Sequence, residues 1–203
     1  RLQLNQVDLY QIHMPIGRWS KPEYVSALAD AVNAGLTRAV GVSNFNTEKT
    51  RLANETLQAT GVPLASNQVE YSLFDRRIEK NGLLDYCLEN NITIVSDEIH
   101  SDLVYEPHKH IPFQTLGNEI ASKTLTCIAP SKTFNLAGLA TSIVVIPDED
   151  LRSAFNHELS TGHFHMGNIF GTVALEAAYR SGHEWLDQLM KYLKGNLDFM
   201  ADF

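Results

Sequence analysis

Short apolar runs alternate with helically spaced ones along the first half of the chain. Residues 7–13 (VDLYQIH) form a β-branched and aromatic run closed by Met14-Pro15. Residues 22–34 then carry Tyr24, Leu28, Ala31 and Val32 on one helical stripe, with Gly35 as the stop. The alternation continues with a strand over 38–42, a helix over 47–60, a strand over 65–71, a helix over 80–90 and a strand over 92–95. Strands separated by helices of about 12 residues predict right-handed βαβ units and a parallel sheet. The second half loosens this pattern. A Pro- and His-rich loop over 106–112 precedes a short helix over 116–122 and strands over 125–129 and 140–146. The connection over 131–138 is too short for a crossover helix, so the last strand is expected to run antiparallel. Helices are expected over 149–159, 168–180 and 184–194. No low-complexity linker interrupts the chain.

Composition narrows the classes. At 203 residues the chain fits one large domain or two small ones. Apolar content of 44% and charged content of 20% are ordinary for a globular protein. The net charge of −8 speaks against nucleic acid and anionic membranes as partners. Cys87 and Cys127 lie far apart in apolar segments and read as packing thiols rather than a disulfide. No apolar run reaches the ~20 residues needed to span a bilayer, and no signal peptide is expected. The opening on Arg1 rather than Met is read as the missing start of a longer parent.

Candidate chemistry lies at the carboxyl ends of the strands, where ligands bind in parallel α/β sheets. The first strand delivers His13, the second Ser43 and Asn44, and the third Asn67 and Gln68. The fourth delivers Asp97 and Glu98, and the fifth Ser131 and Lys132. Each group follows the last by about one βα unit, so five polar groups are expected in a row along one rim. Taken singly they are unremarkable. A strand-end histidine is usually structural, Ser-Asn is often a helix cap, and a lone lysine is usually a surface residue. Histidines at 108, 110, 157, 163 and 165 raise a metal reading, but no Cys or carboxylate spacing completes a ligand set, so no metal is expected.

Read in series, the stretches DLYQIHMP, ALADAVNAGLTRAVGVSNFN, LASNQVEYSLFDR and LLDYCLENNITIV make residues 4–95 resemble the aldo-keto reductases. These are (β/α)8 barrels that reduce carbonyls with NADPH, and the resemblance implies strands four to seven of such a barrel. It implies that His13 orients and polarises a carbonyl, and that Ser43, Asn44 and Gln68 hold the nicotinamide carboxamide. The family's catalytic tyrosine, lysine and aspartate belong upstream of the matched stretch. Its Tyr-Ser-Pro segment is replaced by Ser96-Asp97-Glu98, and its loops for the adenosine phosphate have no counterpart.

From about Ser96 onward the chain resembles another family, the fold-type-I pyridoxal-phosphate enzymes of the cystathionine β-lyase and aminotransferase kind. SDEIHSDLVYEPHKHIPF, APSKTFNLAGLATSIVVIPD and NIFGTVALEAAYRSGHEWLD carry it. The resemblance implies that Asp97 pairs with the pyridinium nitrogen, Lys132 forms the Schiff base, and His100 stands near the ring hydroxyl. Ser131 is the one hydroxyl expected near the phosphate. The family's Gly-containing phosphate turn, stacking aromatic, asparagine and carboxylate-binding arginine have no counterpart. Without cofactor, Asp97 and Lys132 are expected to pair, an exposed contact that contributes under about 1 kcal/mol.

The change of family falls inside one strand, between Val95 and Asp97. That predicts an engineered chimera, half a barrel (1–95) joined to part of a pyridoxal-phosphate transferase large domain (96–203). It is expected to form a single α/β domain on a mostly parallel six-stranded sheet, order 1-2-3-4-5-6, with the last strand antiparallel. The late helices, through Ile169, Phe170, Val173, Leu175, Trp185, Leu189, Tyr192 and Leu193, are expected to cover the opened sheet face. Otherwise a homodimer through that face or the edge of strand 1 would do so. No partner is required and no catalysis is expected. No cofactor is expected beyond vestigial pyridoxal phosphate at Lys132 or vestigial NADPH at the nicotinamide-like rim. Both resembled families are cytoplasmic, so soluble expression is expected.

Overall fold

The computed structural model describes residues 5–15, 21–71, 76–164 and 167–203. Its first strand, β1 (Val7–Ile12), runs parallel to β2 (Thr37–Ser43), and β2 runs parallel to β3 (Leu64–Gln68). Two helices cover one face. In α1 (Pro22–Asn33) a proline opens the first turn, where its missing N–H costs nothing, and Val25, Leu28 and Ala29 are buried. In α2 (Thr47–Gln58) the Asn46 side chain caps the start by accepting from the Lys49 N–H, and Thr50, Ala53 and Leu57 are buried. These residues close on Val40, Val42, Phe45 and Val62 in a continuous core. Gly41 is required in β2: a Cβ there would lie 2.1 Å from Ser66 Oγ. That gap is what lets Gln11 Nε2 donate to Ser66 Oγ at 2.9 Å, across the middle strand.

The expected helix over 80–90 is broken in two, α3 (Arg77–Lys80) and α4 (Leu83–Glu89), around Gly82 at φ +74°. Beyond it, β4 (Ile94–Asp97) pairs in parallel with β5 (Thr124–Ile128), from Ile94 opposite Thr124 to Asp97 opposite Cys127. A 3-10 turn (Phe113–Leu116) and the short α5 (Asn118–Ser122) connect them. After β5 comes a single turn, α6 (Pro130–Thr133), and then β6 (Ile143–Val145), which pairs antiparallel to β5 as its short connection predicts. Three helices follow: α7 (Glu149–Thr161), α8 (Ile169–Ser181) and α9 (His183–Asp202). The described residues cluster into two compact units, Arg1–Glu89 and Asn90–Phe203.

Two expectations are corrected. The six strands do not form one sheet in the order 1-2-3-4-5-6. Among the described residues they form two sheets, β1-β2-β3 and β4-β5-β6. With five and four residues, β3 and β4 offer few ladder bonds, and the outer edge of β4 leaves Val95 64% exposed. Nor do the late helices act as a cover. Ile169, Phe170 and Val173 are 78%, 79% and 62% exposed, Trp185 and Tyr192 are exposed too, and Leu175, Leu189 and Leu193 are half-buried. The contacts of α8 lie on one side, where Gly171 is buried and the Tyr179 ring packs against Phe134. A Cβ on Gly171, its one buried residue, would meet Thr141 Oγ1 at 1.8 Å. Among the described residues no helix is long and apolar enough to cross a membrane.

Candidate functional site

The strand-end groups fall on two rims, one per sheet. On the first, β2 ends at Ser43 opposite Gln68 of β3. Asn44 then turns into the left-handed region at φ +60° and aims its backbone N–H at the Gln68 carbonyl, 2.7 Å away. Asn tolerates that conformation better than most residues. The Asn44 side-chain amide donates to Ser43 Oγ at 3.0 Å and to the His13 carbonyl at 3.5 Å. The structure therefore brings His13, Ser43, Asn44 and Gln68 together on the first rim, while Asp97 and Lys132 belong to the rim of the second sheet. Ser43 is buried, whereas His13 and Gln68 are exposed. Asn67 faces inward, donating to the Phe45 carbonyl at 2.9 Å and Thr50 Oγ1 at 2.8 Å, and its own Oδ1 is buried without a partner. Two open cavities adjoin this unit. One of about 370 Å³ touches Asn44, Asn46, Arg77 and Asn81, and one of about 500 Å³ touches Tyr10, His13 and Tyr24.

On the second rim, Asp97 is the last residue of β4 and its Oδ1 accepts from the Ile99 N–H at 3.3 Å. Lys132 lies in α6, just past the end of the neighbouring β5. Asp97, His100 and Lys132 are exposed, and Ser131 is half-buried. The expected Asp97–Lys132 pair is not among the ion pairs of the described residues. Both side chains reach water instead, where a flexible lysine gains little from an exposed partner. Asp97 does act on Cys127, its partner in register: burial first, and then the Asp97 charge, push the Cys127 thiol up.

The best-held carboxylate of this unit is one to which the sequence assigned no role. Glu98 is buried. It accepts from Ser96 Oγ at 3.0 Å and from the Phe113 N–H at 2.9 Å, and meets His110 Nε2 at 2.6 Å. A buried carboxylate needs such partners, because desolvation of an unpaired charge is costly. Its sequence signal is the second acid of Asp97-Glu98: in a strand whose side chains alternate, two adjacent acids cannot both face the rim. His110, read above only in the context of metal, is thus a partner of Glu98. A second unassigned contact joins Thr133, fully buried, to Asp102 Oδ2 at 2.8 Å. Among the described residues no group of three His, Cys, Asp or Glu could hold a metal ion, and His165 lies outside them.

The aminotransferase class I and II model matches residues 79–202, more than half of the chain. The chain belongs to that family. The aldo/keto reductase family model matches residues 1–99, so the two matches overlap over 79–99. Cystathionine beta-lyase PatB of Bacillus subtilis (strain 168) is 46% identical over 114 residues, which is 56% of this chain and 30% of that protein. L-glyceraldehyde 3-phosphate reductase of Escherichia coli (strain K12) is 37% identical over 91 residues, 45% of this chain and 26% of that protein. A PLP-bound protein of Clostridium difficile 630, described as an aminotransferase, superposes with a TM-score of 0.61 at 29% identity. That superposition covers 98% of this chain and 51% of the other. This aminotransferase-family chain thus spans about a third or less of the curated relatives it matches, and it combines fragments of two enzyme families.

Proposed function

We propose that the 203-residue chain is a fusion of two enzyme fragments that carries two partial sites and sustains no steady turnover of carbonyl or amino-acid substrates. One observation carries this reading: Asp97, His100 and Lys132 all stand in water. Cofactor rings are held in concave sites that exclude solvent, because there a carboxylate acts on the ring through a low dielectric. On an open rim the Asp97 charge is screened, and little differential stabilisation of a transition state is available from it.

A second reading, weak attachment of pyridoxal phosphate at Lys132, is favoured by the chemistry of the donor set. Asp97 offers a carboxylate to hold a proton on the ring nitrogen, Lys132 an amine, and Ser131 a hydroxyl toward the phosphate. The Lys132 amine would add to the aldehyde carbon with loss of water, giving a carbon–nitrogen double bond. When bound, pyridoxal phosphate supplies an electron sink for substrate carbanions. The phosphate is the weak point, since a single turn such as α6 cannot supply the converging N–H donors of a longer helix. The nicotinamide-like rim does not fit its group: the Asn44 amide is already committed to Ser43 and His13, and Ser43 is buried.

Incubation with pyridoxal phosphate, borohydride reduction and peptide mapping separates the readings. A label confined to Lys132 and lost in Lys132→Ala supports attachment. Steady turnover of a carbonyl with NADPH, or of an amino acid with pyridoxal phosphate, would overturn the first reading. A thermal midpoint raised by NADPH would restore the nicotinamide site. We also infer a deliberate fusion within the shared segment 79–99, and a genome encoding both fragments in one frame would refute it. The exposed apolar side chains of α8 and α9 favour a homodimer, tested by gel filtration across a concentration series.

A further inference from the structure

We propose that Asp102 is a positioning residue for Lys132, acting through the Thr133 hydroxyl. The proposal rests on the reading of Lys132 as the attachment lysine. Lys132 belongs to a single turn closed by the main-chain bond from Phe134 N–H to the Pro130 carbonyl at 2.9 Å. An isolated turn has no stability of its own, since helix nucleation is unfavourable. What holds this one is tertiary. Pro130 and Thr133 are both fully buried, and Thr133 Oγ1 donates to Asp102 Oδ2 at 2.8 Å. An ionised carboxylate only accepts, so the hydroxyl proton is committed to it, and the stiff β-branched side chain fixes the turn beneath Lys132.

Asp102 is itself well placed to act as the fixed end. The turn after β4 is closed by Ser101 N–H to the Glu98 carbonyl at 2.9 Å and Leu103 N–H to the His100 carbonyl at 3.0 Å. The Thr133–Asp102 bond therefore ties the segment bearing Asp97 and His100 to the segment bearing Ser131 and Lys132. Between neighbouring strand ends, it is the side-chain link that sets one half of the donor set against the other. From α8, Tyr179 shares this surrounding. Its ring packs edge-on against Phe134 with centroids 5.5 Å apart, and burial followed by the Asp102 charge raises its phenol.

The full chain is treated with pyridoxal phosphate and borohydride, and the share of label on Lys132 is compared with that on all other lysines. Thr133→Val, which keeps shape but loses the hydroxyl, is expected to lower the Lys132 share roughly tenfold. Thr133→Ser is expected to restore most of it, and Asp102→Asn to lower it about threefold. A second readout needs no cofactor: limiting acetic anhydride measures Lys132 against the exposed Lys109. As the turn loosens, that ratio is expected to move toward one in Thr133→Val and Asp102→Asn but not in Thr133→Ser. A lowered thermal midpoint with both lysine ratios unchanged would mean a merely structural bond and would overturn the proposal. Failure of the unsubstituted chain to label Lys132 overturns the cofactor reading instead, and the acetylation ratio then decides the positioning role alone. If Thr133→Val does not fold, Asp102→Asn against Thr133→Ser carries the same comparison.

Discussion

The two units bury different kinds of side chain. Residues 5–89 close an apolar core in which helices α1 and α2 lie on one sheet face, with Val25, Val40, Val42, Phe45 and Leu57 all fully buried. Residues 90–203 bury fewer apolar groups, Phe113, Leu125, Ala129 and Ile146, and as many polar ones: Glu98, Thr124, Thr126 and Thr133. The first unit carries its own covering layer, because the helix after each of its first two strands packs on the sheet. The second leaves the apolar sides of α8 and α9 in water and relies on specific hydrogen bonds around its strand ends. A unit whose helices alternate with its strands closes an apolar core of its own, and the other unit leans on polar contacts instead.

The contrast breaks most directly at Leu57. Leu57→Ala is expected to cost about 2–5 kcal/mol in urea unfolding of the first unit, whereas Phe170→Ala in α8 is expected to stay within about 0.5 kcal/mol at dilutions where the chain is monomeric. Equal effects at both sites would mean that α8 is covered in solution. A smaller loss, about 1–3 kcal/mol, is expected for Glu98→Ala, which strands the Phe113 N–H and removes the partner of His110. Faster hydrogen exchange at Phe113 would report it locally, and an unchanged rate would show that the carboxylate does not hold this loop. The smallest effect concerns Cys127. Its folded thiol is raised above the ordinary value of 9.0, so the unfolded chain gives up the proton first. Stability of the second unit is expected to fall slightly as pH climbs past about 9. The fall should shrink in Asp97→Asn, and a thermal midpoint rising over that range would contradict it.

Much of the local architecture was legible because periodicity reports burial and turn residues report ends. The strand over 7–13, the stop at Gly35, and the antiparallel last strand all followed from such signals. Asp97, Lys132 and the first rim were legible because the ends of strands can be counted along a chain. Which strands pair is not a local property. The edge of β4 carries the same residues whether or not β3 lies beside it, so the division into two sheets was hidden. The partners of Glu98 were hidden for a related reason: His110 and Phe113 come from a loop whose path no periodicity describes.

The bond from the Asn44 N–H to the Gln68 carbonyl joins peptide groups rather than side chains. The path of the first rim is therefore drawn by atoms that nearly every amino acid shares. Replacing His13, Ser43 or Gln68 alters what the rim can recognise while the ribbon beneath keeps its course. At position 44 proline alone would erase the donor, and glycine would adopt the same turn with greater ease. The rim can thus be rewritten chemically without being redrawn.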